Sequence, residues 1–254
     1  MKKALPLILI CLFFFCACRP ASGQEISPQE IVKRSDDLMR GDTQQGTYTM
    51  AITTLNWQRT LVLYVASKGR DQMFIRILSP AKEKGITTLR MASEMWNYLP
   101  SVERTIKIPP SMMLQPWMGS DFANDDLVKE SSVVNDYDHR LLRTENLDGV
   151  EVWCLELIPK PHAGVVWNKR LMWIRTKDFI PVRDEFYGKN DKLIKVLTYS
   201  NVKKISDRMI PTHWEMTSEI KKGNRTVIEV GQDVVYNEPI DENVFSLQNL
   251  KSSL

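Results

Sequence analysis

The sequence is poor in the residues on which several kinds of chemistry depend. It has 11 glycines in 254 residues, and they form no phosphate-cradling loop, no Gly-x-Ser-x-Gly elbow and no dinucleotide fingerprint. Its three histidines, His139, His162 and His213, stand apart with no second ligand at a metal-like interval. Cys11, Cys16 and Cys18 crowd the start of the chain and only Cys154 lies beyond, which excludes a disulfide framework. Cys154 falls in the strand-like run Val150 to Leu157, where a thiol serves as a small hydrophobe. These absences argue against an enzyme, a resident metal and a cofactor.

Also missing is a run of the ~20 apolar residues that a membrane-spanning helix needs. The apolar stretch Ala4 to Ala17, behind Met1-Lys2-Lys3, is shorter and leads to the small residues Ala21-Ser22-Gly23. This is the layout of a secretory signal over residues 1–23, with Gln24 opening a single domain over 24–254. A second route is open in Phe15-Cys16-Ala17-Cys18, where a small residue precedes a cysteine at which a bacterial lipoprotein is cleaved and acylated. Both routes place the mature protein in the periplasm, free in the first and membrane-anchored through Cys18 in the second. Charge of one sign is lacking too. Without Lys2, Lys3 and Arg19 the 34 Lys+Arg fall to 31, level with the 31 Asp+Glu, so the electrostatic footprint of a nucleic-acid binder is absent.

What is present is mostly strand. Ser27-Pro28-Gln29-Glu30 reads as a capping box with proline at the first helical position, and Ile31, Val32, Ser35, Leu38 and Met39 keep helical spacing until Gly41. From Gly46 the period becomes two, with Tyr48, Met50 and Ile52 on one face. Strand-like runs then recur at 59–65, 71–78, 87–91, 94–99, 105–108, 137–144, 150–158, 169–175, 181–187, 192–202, 209–219 and 225–235, parted by turn formers such as Asp148-Gly149. A short helical turn is expected at 241–245. The pattern predicts a mainly β fold, an unclosed antiparallel barrel of about ten or more strands, with the N-terminal helix and a loop plug on its concave face.

One stretch, Ile108 to Leu127, breaks the rhythm. Pro109, Pro110 and Pro116 forbid a long regular element, yet the segment is rich in methionine and aromatic rings. Of the 12 methionines 11 follow the signal, as do all seven tryptophans, and methionine suits surfaces that adapt to varied apolar partners. Trp96, Leu99, Met112, Met113, Leu114, Trp117, Met118 and Phe122 are therefore the expected lining of a hydrophobic cavity or its lid. Asp121, Asp125 and Asp126 lack the glycine and alternating oxygens of a calcium loop. Ser120 or Asp121 capping a helical turn through Leu127 is the better reading.

Trp96-Asn97-Tyr98-Leu99-Pro100, Arg104, Met118-Gly119-Ser120-Asp121-Phe122 and Asp125-Asp126-Leu127 resemble the outer-membrane lipoprotein-sorting-protein-like family of the LolA/LolB superfamily, on its LolA-like branch. The resemblance covers nearly the whole mature chain. It implies an unclosed antiparallel barrel with helices and loops over a hydrophobic cavity, and a carrier of lipid or acylated lipoprotein that takes cargo from an inner-membrane exporter to an outer-membrane acceptor. The alternative function is an envelope interaction or adaptor module, associated with an inner-membrane exporter, that carries nothing and docks through the convex sheet and exposed aromatics. Arg59, in Trp57-Gln58-Arg59-Thr60, is the nearest match to the lid arginine of true LolA, but its surroundings differ.

Overall fold

The computed structural model describes residues 26–113, 115–124, 126, 133–161, 163 and 167–252. It opens with helix α1, Pro28–Arg40. Ser27 caps it, its Oγ accepting from the Glu30 amide at 3.2 Å. The other half of the expected box does not form, because the Glu30 carboxylate turns outward to Arg34 Nε at 2.8 Å. Gly41 ends the helix at φ 65° and donates its amide to the Asp37 carbonyl, a left-handed stop that a Cβ would strain.

One antiparallel sheet of 14 strands follows. Its first half is β1 (Thr43–Thr53), β2 (Gln58–Lys68), β3 (Gln72–Ser79), β4 (Thr87–Met91), β5 (Glu94–Leu99) and β6 (Arg104–Lys107). The second half is β7 (Tyr137–Leu147), β8 (Val150–Pro159), β9 (Lys169–Arg175), β10 (Pro181–Tyr187), β11 (Leu193–Ile205), β12 (Arg208–Ser218), β13 (Arg225–Val230) and β14 (Val235–Tyr236). Each half is a meander of neighbouring hairpins, and the halves join where β1 pairs β13, Tyr48 opposite Val230. The free edges are consequently β6 and β7. The chain leaves one edge and re-enters at the other, and the described residues of 108–136, the crossing segment, include Trp117, Phe122 and Val133 over the concave side.

A single strand was expected over 225–235; it breaks at Gly231. A Cβ on Gly231 would lie 2.4 Å from the Thr47 carbonyl oxygen, and one on Gly46 would lie 2.5 Å from Val234 Cα. The two glycines let the backbones close in and the chain kink, after which β14 pairs with β1 again at Gln44 and Gln45.

Strict alternation sorts the side chains. The concave face carries the main core, including Tyr48, Met50, Ile52, Leu61, Leu63, Ile75, Leu197, Met216 and Ile228. Beside it Ile31 and Val32 of α1 pack on Leu155, Leu157, Met172 and Ile174. The convex face is also covered in places. The 3-10 turn Glu242–Phe245 and helix α2 (Leu247–Leu250) set Phe245 and Leu250 against Ala66, Phe74 and Leu89. Across the second half a smaller convex cluster holds Val152, Cys154 and Trp173.

Candidate functional site

Between the concave sheet, α1 and the crossing segment lies a cavity of ≈ 200 Å³. Its floor is Tyr48, Met50, Leu63, Ile75, Leu197 and Ile228, with Met73, Met172, Tyr199 and Trp214 at the sides. Met39 closes it from α1, and Trp117, Phe122 and Val133 from the crossing segment. Most of this lining is apolar because the strands present it from alternate positions. An engineered apolar cavity of roughly 150 Å³ takes benzene, and ligand pockets generally run to about 300–1,000 Å³. The closed site therefore admits a short hydrocarbon piece, and a longer one only if a cover moves.

The crossing segment is fastened at several points. Ile108 donates its amide to the Met95 carbonyl at 2.8 Å. Trp117 Nε1 donates to Thr88 Oγ1 at 3.1 Å, and Trp117 and Phe122 are joined through amide and carbonyl at 2.7 Å to close a tight loop. Inside that loop Ser120 Oγ donates to the Trp117 carbonyl at 2.8 Å and accepts from the Phe122 amide at 3.2 Å. Asp121 meets Thr226 on β13, its amide and its carboxylate each 2.9 Å from the threonine hydroxyl. Arg59 on β2 donates to the Met118 carbonyl and also reaches Glu83 at 3.2 Å. The Gly-Ser-Asp-Phe block thus builds a clasp. Ser120 and Asp121 are both used in the clasp, and Asp126 accepts from the Ala123 amide at 2.7 Å; the turn through Leu127 that either was expected to cap runs into residues outside those described. Asp125 and Leu127 lie outside the described residues.

Charges on the cavity wall are balanced in place. Asp36 pairs with Arg40 at 2.9 Å and with Arg70. Asp184 takes Arg170 at 3.0 Å and the Tyr199 hydroxyl at 3.3 Å. Asp126 meets Lys195, both nearly buried, and the ammonium also faces the rings of Trp167 and Phe186. Burial pushes the Tyr48 hydroxyl well above its ordinary range, while Gln44 donates to it. Buried charges survive only when matched in this way, and matching leaves the wall suited to an uncharged chain.

Of the expected lining residues, Trp117 and Phe122 face the cavity. Met113 and Met118 pack partly buried against the main core, and Met112 is exposed near them. Leu99 is half-buried at the end of β5, on the same face as Met95 by alternation. Trp96 goes the other way. It is opposite Leu89 and packs with Phe74 and Tyr98 on the convex face. Leu114 lies outside the described residues. Most of the floor and both buried ion pairs escaped the sequence reading, since their only signal was alternation within strands whose partners were unknown.

The other chemical candidates do not converge on the cavity. Burial pushes the Cys154 thiol up to about 11, so it is no thiolate at neutral pH. His139 Nε2 is 3.0 Å from the Val133 carbonyl, His213 Nδ1 is 2.5 Å from Glu229 Oε1, and His162 lies outside the described residues. Among the described residues no group of three or more His, Cys, Asp or Glu is placed to hold a metal ion, and no helix is long and apolar enough to cross a membrane.

No curated protein matches the chain. Solved structures do. A LolA superfamily protein from Nitrosomonas europaea is 25% identical over 88% of this chain and 99% of its own, with TM-score 0.75. A DUF1329 family protein from Desulfovibrio piger is 24% identical over 88% of this chain and 97% of its own, with TM-score 0.81. A domain from Vibrio parahaemolyticus, described as of the outer membrane lipoprotein-sorting kind, is 24% identical over 89% of this chain and 98% of its own, with TM-score 0.78. A family model described as "-like: Uncharacterized protein" matches residues 69–252. The match of the family model over most of the chain places it in that model's family, and the open barrel is the fold of its outer membrane lipoprotein-sorting and LolA superfamily neighbours.

Proposed function

We propose that the chain is exported, with residues 1–23 as its signal, and that residues 24–254 act as one periplasmic, non-catalytic carrier for lipid or acylated lipoprotein. The observation that carries this reading is the apolar cavity under two covers, α1 and the crossing segment. Burial of an acyl chain gains about 0.8 kcal/mol per CH₂, so a dozen methylenes supply affinity without polar contacts. The closed volume is too small for such a chain, and loading lifts the crossing segment from its clasp. Cargo then lies against Trp117 and Phe122 with the floor residues, Met113 and Met118 follow the moving cover, and Leu99 and Met112 stand at the rim. Trp96 has no part in it. Cargo comes from an inner-membrane exporter and passes to an outer-membrane acceptor.

Mass spectrometry of organic extracts from the natively purified protein is expected to show co-purifying lipid, and a fluorescent fatty acid to bind and be displaced. Met113→Asp with Leu114→Asp is expected to abolish loading with the fold kept; unchanged loading removes the crossing segment from the site. The small closed volume favours a second reading, an adaptor in the envelope that carries nothing. Extracts without lipid and a fatty-acid probe that does not bind would select it. Metabolic labelling with palmitate decides whether Cys18 anchors the protein.

A further inference from the structure

The two ends of the barrel differ in charge. At one lie the turns 54–57, 80–86, 100–103, 188–192 and 219–224 with the 160–161 strand exit; at the other lie 41–42, 69–71, 92–93, 148–149, 176–180, 206–207 and 231–234. The first end carries seven lysines against four carboxylates, and the second six aspartates against Arg70 and Lys177. Six of the seven lysines, in pairs on 80–86, 188–192 and 219–224, are exposed. The molecule is an electrical dipole along its barrel although its net charge is small.

The basic end also bears protruding apolar side chains. Leu55 is 80% exposed, Trp57 42%, Val102 55% and Ile220 50%. Leu55 and Ile220 sit on neighbouring hairpin tips, since Thr53 pairs Arg225 and Leu55 Cδ2 lies 2.7 Å from where a Gly223 Cβ would be. Lys221 and Lys222 follow Ile220 directly. Exposed leucine, tryptophan and isoleucine at one level, ringed by lysines, are the composition of a segment that lies in a lipid interface: the rings and aliphatics enter the headgroup layer and the ammonium groups meet phosphates.

We propose that this end docks on a bilayer surface bearing anionic phospholipid. Leu55, Trp57 and Ile220 enter the headgroup layer and the lysine pairs bind its phosphates, with the aspartate-rich end directed away. Trp57 also lies beside Gly119, whose Cβ would be 3.6 Å from the indole, so docking brings the clasp of the crossing segment to the membrane. The proposal concerns a surface separate from the cavity and stands whether or not the cavity is loaded.

The test is flotation of the full chain, in a Cys18→Ser background that removes any acyl anchor, with vesicles of phosphatidylcholine alone or equimolar with phosphatidylglycerol. Binding is expected to the anionic vesicles only, and to weaken with salt. Lys221→Glu with Lys222→Glu, and separately Leu55→Ser with Ile220→Ser, are each expected to lower it about tenfold, while Asp148→Lys at the far end does not lower it. Urea midpoints of these surface variants verify folding. Equal binding to both vesicles, binding to neither, or folded tip variants that bind like the parent overturns the proposal. A cavity that proves empty of lipid leaves these outcomes unchanged.

Discussion

At the residue scale the telling contact is Asp126 with Lys195, because it ties the crossing segment to the sheet by two charges that are 5% and 6% exposed. Removing one partner strands the other in an apolar surround, which costs about 3–5 kcal/mol, whereas replacing both with uncharged groups costs much less. Asp126→Asn is thus expected to lower stability by about 3 kcal/mol, and Asp126→Asn with Lys195→Met to recover part of it, as read by urea denaturation. Strictly additive losses would mean that the pair is not coupled. Asp121 offers a second reading of the same cover. Burial raises its carboxyl above the ordinary 3.8, against the opposing hydrogen bond from Thr226. The folded protein therefore binds this proton more tightly than the unfolded chain, and stability falls as pH rises from 3.8 through the raised value. Asp121→Asn is expected to remove that slope and to stabilise the protein at neutral pH; a parent-minus-variant difference in urea midpoint that does not change with pH counts against it.

At the scale of elements, the crossing segment and strand β5 each carry a tryptophan of the family motifs, yet on opposite faces. Trp117 fills the concave side and donates to Thr88; Trp96 packs outward with Phe74 and Tyr98. Truncating a buried aromatic to alanine costs about 3–5 kcal/mol. Trp117→Ala is expected to lose stability in that range and fatty-acid binding with it. Trp96→Ala, half-buried, loses less stability and leaves binding unchanged. A Trp96→Ala protein that folds but no longer loads would put the cargo surface elsewhere. Motif proximity in sequence was what made the two residues look alike. Register separates them, because Leu89 and not Thr88 is the partner of Trp96.

At the scale of the molecule, the strands, the first helix and the closing turn near Phe245 were legible because each is a local pattern: period two, a capped amphipathic run, a turn former. The open barrel and its loop plug followed from their number and from the prolines of 108–127. What local pattern does not carry is who neighbours whom across the chain. Tyr48 against Val230, Asp126 against Lys195 and Arg59 against the Met118 carbonyl each join residues far apart in sequence. Those contacts make the cavity floor and fasten its cover, so the site was legible in composition and only partly in position. The break at Gly231 was hidden for the same reason: its cause is a carbonyl on another strand.

The seam between β1 and β13 sets the order in which the chain assembles. Every other neighbouring pair in the two meanders is a hairpin or a short return and closes early at little entropic cost, while this pairing waits for a loop of well over a hundred residues. During N-to-C synthesis β1 therefore keeps one bare hydrogen-bonding margin until residues 225–236 arrive. An unpaired β margin of that length is adhesive, so a truncated or stalled product is the aggregation hazard here, and a chaperone that shields the first meander meets this chain at its most vulnerable moment.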